Sequence, residues 1–159
     1  MREEVEHMIN NYNTMIREKA VLRDMVNRLL EISKEEFIML QNFKPHTRYG
    51  AIDPGTIDRT GSIAVNYDDT YYCSIVTEIN ACNKQIWTLN NRLIFFESAM
   101  NNLSDNLPLF LHMYVVERLT WDVMCKKLNC SRTMLSRYRK KAINELVDIY
   151  TNYYKPFNI

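Results

Sequence analysis

Two helix-capping residues and a turn residue lie close together near the C-terminal end of the chain. Thr120 and Ser131 are good N-caps, because a side-chain hydroxyl can accept a backbone N–H of the first helical turn. Asn129 lies between them, and asparagine tolerates the left-handed backbone of a tight turn better than most residues. The stretch therefore predicts a short helix over 121–128, a turn, and a longer helix over 131–150, which is the pattern of a helix-turn-helix.

The apolar side chains of this stretch can share one inner face. Its predicted members are Val123, Cys125, Leu128, Cys130, Leu135, Tyr138, Ala142 and Leu146. Cys125 falls where the two helices approach closely, so a small side chain is expected there. A support helix is predicted over 107–118, with Pro108 just inside its start, where a missing N–H costs nothing. Its core residues would be Leu111, Tyr114, Val115 and Leu119.

The opposite face of the same stretch is polar and basic. The candidate DNA-binding residues are Lys126, Lys127, Ser131, Arg132, Thr133, Ser136, Arg137, Arg139, Lys140 and Lys141. Arginine pairs with guanine edges in the major groove, while lysine, serine and threonine reach phosphates. Any amphipathic helix can solvate a basic face, but the caps, the turn residue and the small packing residue at matching positions favour DNA binding. The predicted base readers are Arg132, Thr133, Ser136 and Arg137, and the predicted phosphate contacts are Lys126, Lys127, Lys140 and Lys141.

The composition predicts an all-α protein, because glycine and proline are scarce among 159 residues. Long N-terminal and middle helices would precede the C-terminal helix-turn-helix. The predicted divisions are an N-terminal helical segment over 1–44, a linker with glycine and proline turns over 45–69, and a helical domain over 70–159. The helix-turn-helix with its support helix would cover 107–150 of that domain.

Both long predicted helices carry an apolar seam. In the first helix the seam consists of Val5, Met8, Tyr12, Met15, Leu22, Val26 and Leu29. Such a helix either packs on the rest of the chain or pairs with a copy of itself as a short coiled coil, and the pattern supports both equally. Ser33 and Glu36 form a capping-box pattern that would restart the helix. The middle helix is expected over 71–103, capped by Asp69 or Thr70, with its stripe in the core.

Charge and cysteine usage limit the function classes. The net charge is only +1, but from Leu107 onward lysine and arginine outnumber the acids, as in a DNA-reading module attached to another part. None of the four cysteines falls in a C-x-x-C pair, and no histidine lies at zinc-finger spacing, so neither a metal nor another cofactor is expected. A phosphate loop and the common catalytic motifs are missing, so no enzyme is expected. Free cysteines, no signal peptide and no membrane-length apolar run predict a cytoplasmic protein without membrane contact.

Two stretches resemble region 4 of bacterial sigma factors. Residues 109–121 resemble the start of its DNA-binding helix-turn-helix, and residues 128–143 resemble its recognition helix. Asn129 stands in place of the usual glycine and Cys125 in place of the usual alanine. The order of parts along the whole chain is similar to that of phage transcriptional regulators of the RinA/ArpU type from Gram-positive bacteria. That resemblance implies an activator of phage late genes, which binds double-stranded promoter DNA and acts with host RNA polymerase at the bacterial nucleoid.

The sequence leaves other functions open. A single helix-turn-helix buries little surface, so high affinity would need a second copy, and the N-terminal seam could supply a homodimer. One alternative is a small terminase-like DNA-packaging protein, which ring assembly would favour. Another is a sigma-like module that contacts proteins without reading DNA, which polymerase binding without DNA retardation would favour.

Overall fold

The computed structural model describes residues 1–32, 36 and 67–154, except for the side chains of 67–70 and 72. The α-helices in these ranges are α1 (Arg2–Glu31), α2 (Tyr67–Asn101), α3 (Leu107–Leu111), α4 (Trp121–Leu128) and α5 (Arg132–Tyr153). No strand occurs in the described ranges, and the predicted all-α class is confirmed.

Helix α2 begins at Tyr67, earlier than predicted, so Asp69 and Thr70 lie inside it and do not cap it. The predicted helix restart at Ser33 lies outside the described residues, although Glu36, the other half of that capping-box pattern, is helical. The predicted linker up to residue 66 also lies outside them. The division into 1–44, 45–69 and 70–159 stays a prediction.

The chain forms two compact units, of which residues 1–20 and 86–159 form the first and residues 21–85 the second. In the described part of the second unit, Leu22, Tyr71 and Cys82 are buried. The Tyr71 hydroxyl donates a hydrogen bond to the Ile32 carbonyl oxygen at 2.5 Å. This bond fixes the end of α1 to the beginning of α2 within that unit.

The first half of the α1 seam is buried in the core of the first unit. The seam residues Val5, Met8, Tyr12 and Met15 are buried there, and they pack with Leu93 and Phe96 of α2. Ile9, which the seam did not include, is buried beside them. The Tyr12 hydroxyl donates to Glu97 Oε1 at 2.6 Å. Burial and this bond both raise the pKa of Tyr12. The seam was predicted either to pack on the rest of the chain or to pair with a second copy. Between residues 5 and 15 it packs on the rest of the chain.

The support helix is shorter than predicted and changes its hydrogen-bonding pattern halfway. After α3 the chain continues as a π-helical segment, His112–Val116, which ends where the Glu117 N–H donates to the His112 carbonyl at 3.1 Å. Arg118 then adopts a positive φ of 52° and turns the chain toward α4. Pro108 falls in the first turn of α3, as predicted.

Side chains and backbone of α1 satisfy groups at the end of this segment. Asn13 Nδ2 donates to the carbonyl oxygens of Val115 at 3.0 Å and Val116 at 3.4 Å, and Arg118 Nη2 donates to the Asn10 carbonyl at 2.6 Å. The last carbonyls of a helix have no partner within it, so Asn13 supplies one from a distant part of the sequence. The position of the support helix thus depends on α1.

Glu145 of α5 holds the loop that follows α2. Its carboxylate accepts from the Ser104 N–H at 2.9 Å and from the Ser104 hydroxyl at 2.6 Å. Partial burial raises the pKa of Glu145, but the two bonds from Ser104 and the charge of Lys141 outweigh it, so the pKa lies below its ordinary value. The carboxylate is therefore stabilised in its charged form.

Candidate nucleic-acid interface

Helices α3, α4 and α5 and the π-helical segment pack around a common apolar core. Its most deeply buried members are Leu107, Phe110, Leu111, Val115, Met124, Leu135, Ala142, Leu146 and Tyr150. The predicted core residues Cys125, Leu128, Cys130 and Tyr138 are half-buried and pack against it, as do Tyr114 and Leu119. This core fixes one side of α5 and leaves the other side exposed.

The prediction that Val123 lies in this core is wrong. Val123 is 40% exposed, whereas its neighbour Met124 has no exposed surface. The residues of α4 that contact the core are Trp121, Met124, Cys125 and Leu128, which follow the three–four spacing of one helical face. At about 100° per residue, Val123 lies about 150° around the helix axis from the middle of that face, on the opposite side of α4.

The turn between α4 and α5 has the predicted geometry. Asn129 adopts φ 48° and ψ 49°, the left-handed conformation. The Cys130 N–H donates to the Cys125 carbonyl at 3.1 Å and the Asn129 N–H to the Lys126 carbonyl at 3.4 Å. These two bonds form a Schellman motif, which closes the end of α4 and sets the direction in which α5 leaves.

The two predicted caps differ in the structure. The Ser131 hydroxyl accepts the Met134 N–H at 3.3 Å, which confirms it as the N-cap of α5. Thr120 occupies the N-cap position of α4 with an extended backbone, but its side chain forms no capping hydrogen bond. Its carbonyl accepts the Met124 N–H at 3.0 Å, so only its backbone contributes to the helix start.

The candidate DNA-binding side chains lie on the exposed side of α4 and α5. Of the ten, Ser136 is half-buried and the others are exposed. Thr133, Arg137 and Lys140 follow one another along α5 at three- and four-residue spacing, on a face that the core leaves free. The geometry therefore allows these groups to contact one extended surface.

Three of the cations are ion-paired with acids from other elements. The pairs are Arg132–Asp122 at 2.6 Å, Lys127–Glu117 at 3.3 Å and Lys141–Asp105 at 2.7 Å. The hydrogen bonds to Asp122 and Asp105 raise the pKa of Arg132 and of Lys141 respectively. These acids were not predicted as partners, because Asp105 and Glu117 precede the stretch and Asp122 does not belong to its basic face. The position of Asp122, in the first turn of the preceding helix, was the signal available for the first pair.

The remaining cations have different surroundings. Lys126, Arg137 and Lys140 form no ion pair with any residue that the structure describes. The Arg139 guanidinium lies 5.9 Å from the centre of the Tyr114 ring, a cation–π contact with the support helix. Arg139 therefore helps to hold α5 on the support helix.

The described ranges contain no group of three histidine, cysteine or acidic residues that could hold a metal ion. None of the helices there is both long enough and apolar enough to cross a membrane.

The comparisons with known proteins assign the chain to a family without assigning it a function. Residues 56–147 match the model of a family described as proteins of unknown function, DUF1492. The match covers more than half of the chain and includes α2, α3, α4 and most of α5. Neither the curated proteins nor the solved structures gave a match. The chain belongs to the DUF1492 family.

Proposed function

We propose that this protein is a sequence-specific DNA-binding transcription regulator that inserts the beginning of α5 into the major groove. The observation that carries the proposal is the placement of exposed cations and hydroxyls at the leading end of a helix that is anchored from behind. Leu135, Ala142 and Leu146 have no exposed surface, so the exposed face has a fixed orientation. A fixed helix is what readout of base edges requires.

The cations fall into two roles. Arg132 and Arg137 lie in the first two turns of α5 and are the proposed base readers, together with Thr133 and the half-buried Ser136. Lysine is a compact point charge that suits phosphate, so the proposed phosphate contacts are Lys126, Lys127, Lys140 and Lys141. Arg139, which contacts Tyr114, would contribute mainly by holding α5 in place.

The ion pairs on this surface are compatible with DNA binding. Their members are exposed, and water and salt screen an exposed ion pair, so it contributes little to stability. Lys127 and Lys141 can therefore exchange their carboxylate partners for phosphates at little cost.

The resemblance to phage regulators of the RinA/ArpU type supports a more specific role. We propose activation of phage late genes at a promoter, together with host RNA polymerase. High affinity would come from two copies on a repeated site. If the copies pair through α1, they use its second half, where Val21, Met25 and Leu30 are exposed, because the first half is buried within the chain.

Selection of bound DNA from a random library at about 150 mM salt tests this proposal, because non-specific binding is already weakened there. We expect the protein to enrich a defined motif. Arg137→Ala should weaken binding to that motif by about 1–3 kcal/mol and relax one base position. Lys140→Ala should weaken all sequences alike and reduce the salt dependence.

Arg17→Ala is the matched control, since Arg17 is an exposed arginine on α1 outside the proposed interface. It should leave both affinity and motif unchanged. No enriched motif would refute sequence-specific recognition, and equal losses for Arg137→Ala on cognate and random DNA would show that Arg137 contacts phosphate only.

A further inference from the structure

We propose that Asp122 is a positioning residue that presents the Arg132 guanidinium to a guanine base. This inference rests on the proposed DNA binding and adds a base preference to it. Asp122 Oδ1 accepts two hydrogen bonds from Arg132, one from Nε at 3.1 Å and one from Nη2 at 2.6 Å. The two residues come from different helices, α4 and α5.

The pattern of these bonds leaves the base-reading edge of Arg132 free. A guanidinium has five N–H donors in a planar fork. Asp122 engages the edge formed by Nε and Nη2, which takes two of the five. Both hydrogens of Nη1 and the second hydrogen of Nη2 remain. One hydrogen of Nη1 and the free hydrogen of Nη2 lie parallel at the end of the fork. Arg132 can thus hold Asp122 and a base at the same time.

The free edge is complementary to guanine. Guanine presents two neighbouring acceptors in the major groove, N7 and O6, which a pair of parallel N–H donors matches. Adenine presents one acceptor beside a donor, and cytosine presents a donor. Two donors on one edge can be satisfied together by guanine alone among these three, so Arg132 should select it.

The location of the pair suits this task. Arg132 is the first residue of α5, directly after its cap Ser131, and Asp122 lies in the first turn of α4. Both side chains are about two-thirds exposed, so DNA can reach them. Met124, two residues after Asp122, and Leu135, three residues after Arg132, are fully buried. Their burial fixes the backbone of α4 beside Asp122 and that of α5 beside Arg132.

The pair also lowers the entropic cost of recognition. An unrestrained arginine side chain has many rotamers, and part of that freedom is lost when it binds a base. Because Asp122 already holds two donors of the fork, the Arg132 side chain is restricted before DNA arrives. Pre-organisation of this kind favours the correct base, since only a base that fits the held geometry gains from it.

The opposite effect would follow if Asp122 merely competed with DNA for Arg132. A carboxylate at the surface repels phosphates, so its neutralisation should then strengthen binding to every sequence. Under the positioning role, Asp122→Asn should instead reduce the preference for guanine over adenine at one position, whatever happens to non-specific affinity. The two roles therefore predict different changes in the guanine-to-adenine affinity ratio, as well as different changes in the affinity for all DNA.

The test uses the full chain and measures binding to the selected motif, to the same motif with its guanine replaced by adenine, and to random DNA. Arg132→Ala should reduce the guanine-to-adenine affinity ratio by about 5- to 150-fold, the range of one bidentate pair. Asp122→Asn should reduce the same ratio, and it should cause no further reduction in a protein that already carries Arg132→Ala. Asp148→Asn is the charge-matched control, an exposed aspartate farther along α5, and should leave the ratio unchanged.

Each result decides between defined alternatives. If Asp122→Asn tightens binding to all DNA and keeps the ratio, Asp122 competes with DNA and the positioning role is overturned. If a motif is found but Arg132→Ala changes no guanine position, this inference fails while the proposed function stands. If the unmodified protein enriches no motif, both fail.

Discussion

Met124 and Val123 are neighbours in α4, and their loss should destabilise the protein to very different extents. Met124 is fully buried, so Met124→Ala leaves an apolar void between α4 and the core and should cost about 2–5 kcal/mol. Val123 is 40% exposed. Complete burial of a valine side chain contributes about 1.5–3 kcal/mol. Val123→Ala should therefore cost about 1 kcal/mol or less, because water already reaches the site and no closed cavity forms.

Urea unfolding followed by circular dichroism measures both free energies of unfolding by linear extrapolation. In thermal unfolding, where about 1 kcal/mol corresponds to about 2–4 °C for a chain of this size, the melting temperature should fall by about 4–20 °C for Met124→Ala. It should fall by no more than about 4 °C for Val123→Ala. Equal losses for the two variants would refute the register of α4.

Three further predictions concern contacts outside α4. Asn13→Ala should lower the free energy of unfolding by about 1–3 kcal/mol, because two carbonyls at the end of the π-helical segment lose their donor. The control Asn11→Ala should change it by about 0.5 kcal/mol at most, since Asn11 bonds only within α1. Ser131→Ala should lower the free energy of unfolding by about 0.5–2 kcal/mol, and Thr120→Ala should lower it clearly less, because only Ser131 forms a side-chain cap. Equal losses for the two variants in urea unfolding would contradict this difference. A carboxyl whose pKa is lowered by folding stabilises the protein above its unfolded pKa, and the stabilisation is lost as the pH falls through the folded pKa. Glu145→Gln should therefore flatten the fall in unfolding free energy below pH 4.5, and an unchanged pH profile would contradict the lowered pKa of Glu145.

Features that depend on a few neighbouring residues could be predicted from the sequence. The left-handed turn at Asn129 and the cap at Ser131 are of this kind, because each is decided by backbone groups within a few positions. The buried face of α4 could not be predicted in this way. Val123 and Met124 are both apolar, and in so short a helix a shift of one residue changes the buried face without changing the composition. Only the packing of α4 against its neighbours decides between them.

Long-range partners could not be predicted from the same patterns. The seam of α1 showed that one face would be covered, but an apolar stripe does not specify what covers it. The contacts that decide the matter join α1 to residues far along the chain, as Tyr12 does with Glu97 and Asn13 with Val115. These are polar contacts between side chains or backbone groups that have no periodic pattern of their own.

The carboxylate partners of the proposed DNA-binding cations could not be predicted from the charge pattern either. Their presence has a different consequence for Lys127 and for Arg132. Counting charges along α4 and α5 treats Lys127 and Arg132 as equivalent, and both are paired with a carboxylate. Lys127 makes a single contact of 3.3 Å to Glu117, and its ammonium can rotate toward a phosphate without losing any fixed geometry. Arg132 makes two bonds to one oxygen of Asp122, and these fix the plane of its guanidinium. Pairing should therefore have little effect on the phosphate contacts and should act mainly on base selection at Arg132.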